Sequence, residues 1–199
     1  MNQPSHPTAL LLIDVQQSFT TRPYWSEADL PDFLAQTRAL LDGCARLGVP
    51  VVQVFHTDGP ERADNPFAQA SGLIRPLDGL PPFDAALRIE KHRHSALVGT
   101  GLGVWLHRHG VRRLIVAGIR TEQCCETTTR HASDEGWEVD FVGAATLTFE
   151  MTTPAGTPLS AAQIRERTET VLAGRFATLC SVEQALARAT TALSAGAAA

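Results

Sequence analysis

Leu114-Ile115-Val116-Ala117-Gly118-Ile119-Arg120-Thr121-Glu122-Gln123-Cys124-Cys125-Glu126-Thr127-Thr128 reads as a buried strand that stops at a glycine, turns through polar residues and enters a helix. The apolar, β-branched run before Gly118 suits a strand covered on both faces. Cys124 falls at the start of the helical segment, where free backbone N–H groups and the helix dipole favour a thiolate. A structural cysteine would more naturally lie mid-strand or on an apolar helix stripe.

The same alternation repeats on either side. Strands are predicted over 9–13, 49–55, 113–117 and 138–142, with shorter ones at 87–90 and 176–179. Helices are predicted over 30–47, 101–109, 123–135, 161–172 and 182–193, the first three stopping at Gly48, Gly110 and Gly136, where a left-handed residue ends the helix. Strands apolar on both faces that alternate with helices define an α/β fold, a three-layer α-β-α arrangement with a mostly parallel, Rossmann-like sheet. At 199 residues the chain suits one such domain. The residues 194–199 are expected to fray.

Composition excludes several classes. The net charge is −4, with acidic and basic residues interspersed, so neither nucleic acid nor a membrane surface is an expected partner. The run from Ala9 to Ile13 is too short to span a bilayer, and the first residues lack the pattern of a signal peptide, so a cytoplasmic location is expected. The four cysteines, Cys44, Cys124, Cys125 and Cys180, do not form a disulfide framework.

In open parallel sheets ligands bind outside the carboxyl ends of the strands. That rule selects Asp14, His56, Lys91 and the Gly118–Cys124 turn, each directly after a predicted strand. They supply a carboxylate, an imidazole, an ammonium and a thiol. An attacking thiolate needs a base, a cation and donors for the oxyanion it creates, and this rim offers the first two. Phe19, Tyr24 and Trp25 follow the first strand and are candidates for a pocket wall, Phe19 first among them. The Gly99-x-Gly101-x-Gly103 run does not follow a strand at the spacing of a phosphate loop. Segments 57–82 and 146–159 fit neither helix nor strand; the first is expected as a surface loop and the second as a lid or interface loop. Glu126 and Arg130 form a helical i, i+4 pair with no further role expected, and His92 and His94 are expected in a solvated loop.

Three segments together resemble the isochorismatase-like cysteine hydrolases. Ala9–Gln16 (ALLLIDVQ) is similar to that family's first strand and its aspartate. Lys91 followed by Ser95-Ala96-Leu97-Val98-Gly99-Thr100-Gly101-Leu102 is similar to its Lys-then-Ser-x-Phe-x-x-Thr-x-Leu segment. Gly118-Ile119-Arg120-Thr121-Glu122-Gln123-Cys124 is similar to its Gly-x-x-Thr-x-x-Cys signature. The resemblance implies Cys124 as nucleophile, Asp14 as base and acid, and Lys91 as supporting cation. It also implies a non-proline cis peptide at Ile119–Arg120 and an oxyanion hole from the backbone N–H groups of Arg120 and Cys124. Substrate contacts are expected from Phe19, Trp25 and His56. The implied reaction is hydrolysis of a C–N bond in a small amide, carbamoyl or ureido compound through a thioester.

The chain departs from the family pattern at Cys125, usually Val, at His131, usually Asp, and at Leu97, usually Phe. Family members that bind a metal carry Asp-x-His after the second strand, whereas here the order is His56-Thr57-Asp58 with no later His in the loop, so neither metal nor cofactor is expected. Members that cleave a vinyl ether lack the cysteine, so Cys124 points to C–N hydrolysis. A homo-oligomer, dimer or tetramer, is expected by analogy. A non-catalytic binding protein of the same fold is the alternative. A redox role for adjacent Cys124 and Cys125 would require a strained eight-membered ring.

Overall fold

In the computed structural model, which describes residues 7–196, six strands form one sheet: β1 (Thr8–Ile13), β2 (Val51–His56), β3 (Leu87–Lys91), β4 (Arg113–Ile119), β5 (Glu138–Leu147) and β8 (Thr178–Leu179). Their order is β3-β2-β1-β4-β5-β8 and every pairing in it is parallel. Two short strands, β6 (Met151–Thr152) and β7 (Pro158–Leu159), form a separate antiparallel hairpin.

Five helices cover the sheet: α1 (Leu30–Leu47), α2 (Leu102–Arg108), α3 (Glu126–Asp134), α4 (Ala161–Leu172) and α5 (Val182–Gly196). Alternate residues along β1 feed two cores. Leu10 and Leu12 pack with Phe33, Leu40 and Cys44 of α1 and with Ala185 of α5. Ala9, Leu11 and Ile13 pack with Leu102 and Leu106 of α2, Ala132 of α3 and Leu172 of α4. Both faces of the sheet are therefore dry, as the apolar strands predicted. Gly48, Gly110 and Gly136 adopt positive φ just beyond the helices that the sequence ended there.

The chain winds outward from β1 in both directions, so the order reverses between β1 and β4. Crevices at such a switch point open at the strands' carboxyl ends. At this seam Gly118 pairs with Ile13, and a Cβ built on Gly118 would lie 2.0 Å from the Ile13 carbonyl oxygen. Its φ of 136° is also one that side-chain-bearing residues avoid. The signature glycine thus lets the strand before Asp14 lie against the strand before Cys124. Gly118→Ala should destabilise the fold by about 3 kcal/mol or more, read as a lowered urea midpoint.

β5 and α5 run well past their predicted ends. β5 continues past Val142 to Leu147, because Gly143, Ala144 and Ala145 interrupt the apolar signal without ending the pairing; the register shifts opposite Val116 and Gly118. The predicted lid over 146–159 is in part this strand and in part the β6–β7 hairpin. Its Phe149 is buried against Tyr24 and Trp25 at ring separations of 5.4 and 5.2 Å. α5 runs on to Gly196, past the start of the predicted fray, and 197–199 lie outside the described residues.

Candidate active site

Asp14, the first residue after β1, has φ 53°, a left-handed conformation that aspartate tolerates better than most residues. Its N–H still bonds the Val54 carbonyl, so it is held by the sheet while its side chain turns to the carboxyl-end crevice. His56 and Lys91 end β2 and β3 and are partners in register. Sheet pairing thus brings together groups far apart in sequence.

Lys91 is fully buried, and its Nζ lies 2.8 Å from Asp14 Oδ2, 3.3 Å from Cys124 Sγ, 3.2 Å from His56 Nδ1 and 3.1 Å from the Arg93 carbonyl oxygen. An ammonium has three protons and here faces four acceptors. Burial disfavours its charge, but Asp14 and Cys124 outweigh burial and raise the Lys91 pKa, so the side chain is a cation.

Burial raises the Asp14 pKa against the lowering pull of Lys91. Burial, reinforced by Asp14, also raises the Cys124 thiol above the ordinary range. Both shifts favour the protonated forms of groups packed beside a fixed cation, so the Cys124 proton does not leave readily for bulk water. Losing that proton to bulk water would change the charge of a buried cluster. Passing it from Cys124 to Asp14 leaves the net charge at zero, so this transfer avoids most of the desolvation cost of ionisation.

The start of the helix differs from the one predicted. Cys124 lies in a widened π turn, Thr121–Cys125, and regular α3 begins only at Glu126. The thiol is raised and not lowered, so local helix geometry does not leave a standing thiolate. The groups placed beside the thiol that could activate it are Asp14 and Lys91. Thr121 anchors the turn by donating its hydroxyl to Thr146 Oγ1 at 2.8 Å. The Ile119–Arg120 peptide is cis, and among the described residues no acceptor takes the Arg120 N–H. Cys125 is fully buried in the core on the α2–α3 side.

A cavity of about 320 Å³ opens onto Cys124. Of the residues expected at the pocket, Phe19, Tyr24 and His56 line it and Trp25 does not, although Tyr24 and Trp25 both pack on Phe149. The lining also includes Arg22, Gln123 and His94, the last from the loop expected to be merely solvated. The segment after β2 contributes Asp58, Asn65 and Phe67, while no residue of 146–159 reaches the cavity. Asn65 braces this segment, donating to the carbonyls of Asp58 and Pro60 at 2.7 and 2.9 Å. Phe67 meets Phe19 edge to face at 5.2 Å.

Polar side chains that no sequence motif assigns a role stabilise the rim. Gln16 is fully buried and holds the His56 backbone at both ends: its Oε1 accepts from the His56 N–H at 2.7 Å and its Nε2 donates to the His56 carbonyl at 2.9 Å. Arg120 pairs with Glu122 at 2.8 Å and stacks over Tyr24 at 4.6 Å, and Thr148 donates to Glu122 at 2.6 Å. Glu126 does more than pair with Arg130: from α3 it also accepts from Arg167 and Thr168 of α4, at 2.5 and 3.2 Å. Among the described residues no group of three or more His, Cys, Asp or Glu side chains is placed to hold a metal ion, and no helix is long and apolar enough to cross a membrane.

Burial and the neighbouring Lys91 cation lower the His56 pKa to about 4, so its ring is neutral at pH 7. The unfolded chain takes up that proton near pH 6.5, the folded chain only near pH 4. This contribution to stability is complete above pH 6.5 and is lost as the pH falls through that window. His56→Asn should therefore narrow the difference between urea midpoints at pH 7 and pH 5 relative to the unmodified protein.

The fold agrees with comparisons to known proteins. The family model described as the isochorismatase domain matches residues 8–184, and the chain belongs to the isochorismatase family. It is 26% identical to YrdC, an isochorismatase family protein of Bacillus subtilis, over 88% of this chain and 92% of that one. It is 30% identical to Nicotinamidase 3 of Arabidopsis thaliana, over 71% of this chain and 73% of that one. The crystal structure of an isochorismatase from Pseudomonas putida superposes with a TM-score of 0.77 at 29% identity, covering 92% and 91% of the two chains.

Proposed function

We propose that this protein is a cysteine hydrolase that cleaves a C–N bond of a small amide, carbamoyl or ureido compound. One observation carries the reading: the buried Lys91 ammonium touches the Asp14 carboxylate at 2.8 Å and the Cys124 sulfur at 3.3 Å, beside a cavity onto which Cys124 opens. Membership of a family that includes a nicotinamidase supports amide chemistry.

Asp14 takes the proton from Cys124 as the sulfur attacks the substrate carbonyl carbon, while Lys91 supports whichever of the two carries negative charge. The N–H groups of Arg120 and Cys124 receive the oxyanion of the tetrahedral adduct. Asp14 then returns the proton to the departing nitrogen, and the C–N bond breaks to leave a thioester on Cys124. A water molecule gives a proton to Asp14 as its oxygen adds to the thioester carbon; the C–S bond then breaks, the acid leaves, and Asp14 returns the proton to the Cys124 sulfur. Phe19 and His56 contact the substrate, and Trp25 supports the wall through Phe149. The working form is a cytoplasmic homo-oligomer.

The test is a screen for ammonia or amine release over primary amides, carbamoyl amines and ureido acids, run beside Cys124→Ala. Release by the unmodified protein and none by the variant supports the reading. Equal release by both, or binding of a ligand recovered unchanged across the whole panel, would sink it.

A further inference from the structure

His56 faces two ways. Its backbone is fixed by the double hydrogen bond from Gln16, and its ring packs edge-on to Phe67 at 5.8 Å. The ring is therefore held in place without a ligand. Lys91 Nζ stands 3.2 Å from Nδ1, and a cationic ammonium can only donate. Nδ1 must then offer its lone pair, and a neutral imidazole with a free Nδ1 carries its hydrogen on Nε2. Among the described residues Nε2 has no hydrogen-bond partner, and the residue lines the cavity onto which Cys124 opens.

Charge around the ring keeps it in this form. Lys91, His92 and His94 disfavour an imidazolium, and only Asp58 favours one. The Asp58 Oδ1 is occupied in part by the Gly59 N–H at 2.8 Å. Accepting a hydrogen bond from a cation at Nδ1 draws electron density from the ring, which strengthens Nε2–H as a donor. A donor left open in a cavity calls for an acceptor on the ligand. Arg22 lines the same cavity and forms no ion pair among the described residues, which favours an acceptor that carries negative charge.

We propose that His56, held by Lys91 through Nδ1, presents Nε2–H as the donor that seats a second carbonyl or carboxylate group of the substrate. This rests on the hydrolase reading above and narrows it to amides that carry another acceptor a few bonds from the scissile carbonyl. His56 is in this account a specificity-determining residue and takes no proton in the reaction.

Two measurements test it. The first compares matched substrates, succinamic and malonamic acids against butyramide and propionamide, with unmodified protein, His56→Leu and His56→Gln. His56→Leu should lower kcat/KM for the carboxylated amides at least tenfold more than for the plain ones, about one charge-assisted hydrogen bond. His56→Gln, which keeps an N–H donor, should recover part of that selective loss. A loss of equal size on both sets would overturn the proposal, since it would mean that His56 acts only through Lys91 or on the scissile carbonyl itself.

The second measurement is the 15N NMR spectrum of the His56 ring at pH 7. It should show hydrogen on Nε2 alone, and an Nδ1–H or doubly protonated ring would overturn the assignment. If neither substrate set is hydrolysed, the hydrolase reading is judged separately, on the carbamoyl and ureido compounds of the wider screen. The His56 assignment is then decided by the tautomer and by whether added succinate shifts the Nε2 resonance.

Discussion

Cys124→Ala is expected to lower turnover of any amide found in the screen by about 10³-fold or more, because the thioester route has no other nucleophile. Its effect on the urea midpoint should be small, within about 1 kcal/mol, since the side chain borders a cavity and can be shortened without opening a new void in the core. Cys125→Ala is the matched control. That side chain is fully buried in the core and does not line the cavity, so its loss should lower stability and leave kcat within about twofold. A variant pair with the opposite pattern would reverse the roles given to the two neighbouring thiols.

The second large effect is expected at Lys91. Lys91→Met removes the cation and leaves Asp14, which has no exposure to water, as an isolated buried carboxyl. Breaking one side of such a pair costs about 3–5 kcal/mol, more than the pair itself contributes, because the remaining charge is stranded. Activity should vanish with it. Adding Asp14→Asn removes the stranded charge, and the double variant should regain most of the lost stability while remaining inactive. The Lys91→Met deficit should also shrink between pH 7 and pH 5, as the raised Asp14 carboxyl takes up a proton and becomes neutral. A deficit that stays constant over that range would show that Asp14 is not the group left stranded.

The sheet was readable because its signals are local. A strand buried on both faces must be apolar at every position, and 9–13 and 113–117 are. Helices that end at Gly48, Gly110 and Gly136 announce their own stops through a conformation that favours glycine. Asp14, Lys91 and Cys124 could be placed on one rim because each follows a strand and parallel strands end on the same side.

What could not be read depends on contacts between distant residues. Gln16 and Thr148 are ordinary polar residues until the fold sets them against the His56 backbone and Glu122. Glu126 carries a visible partner four residues away, whereas Arg167 reaches it only once α4 is packed. The 57–67 segment has the composition of a surface loop, and only its position beyond β2 makes it a cavity wall. Tyr24 and Trp25 both pack on Phe149, from a distant part of the chain, and of the two Tyr24 alone also reaches the cavity. The thiol's protonation was misjudged for the same reason. A helix start is a local feature, whereas burial beside Asp14 is not.

In the proposed reaction the acyl part of the substrate passes through Cys124. Its most direct test is mass spectrometry of the enzyme quenched with acid during steady-state turnover of a hydrolysed amide. An adduct with the mass of the acyl group on the peptide containing Cys124, released by hydroxylamine, is the result expected. An acyl group on any other residue, or an unmodified Cys124 peptide throughout turnover that Cys124→Ala also sustains, would contradict the account.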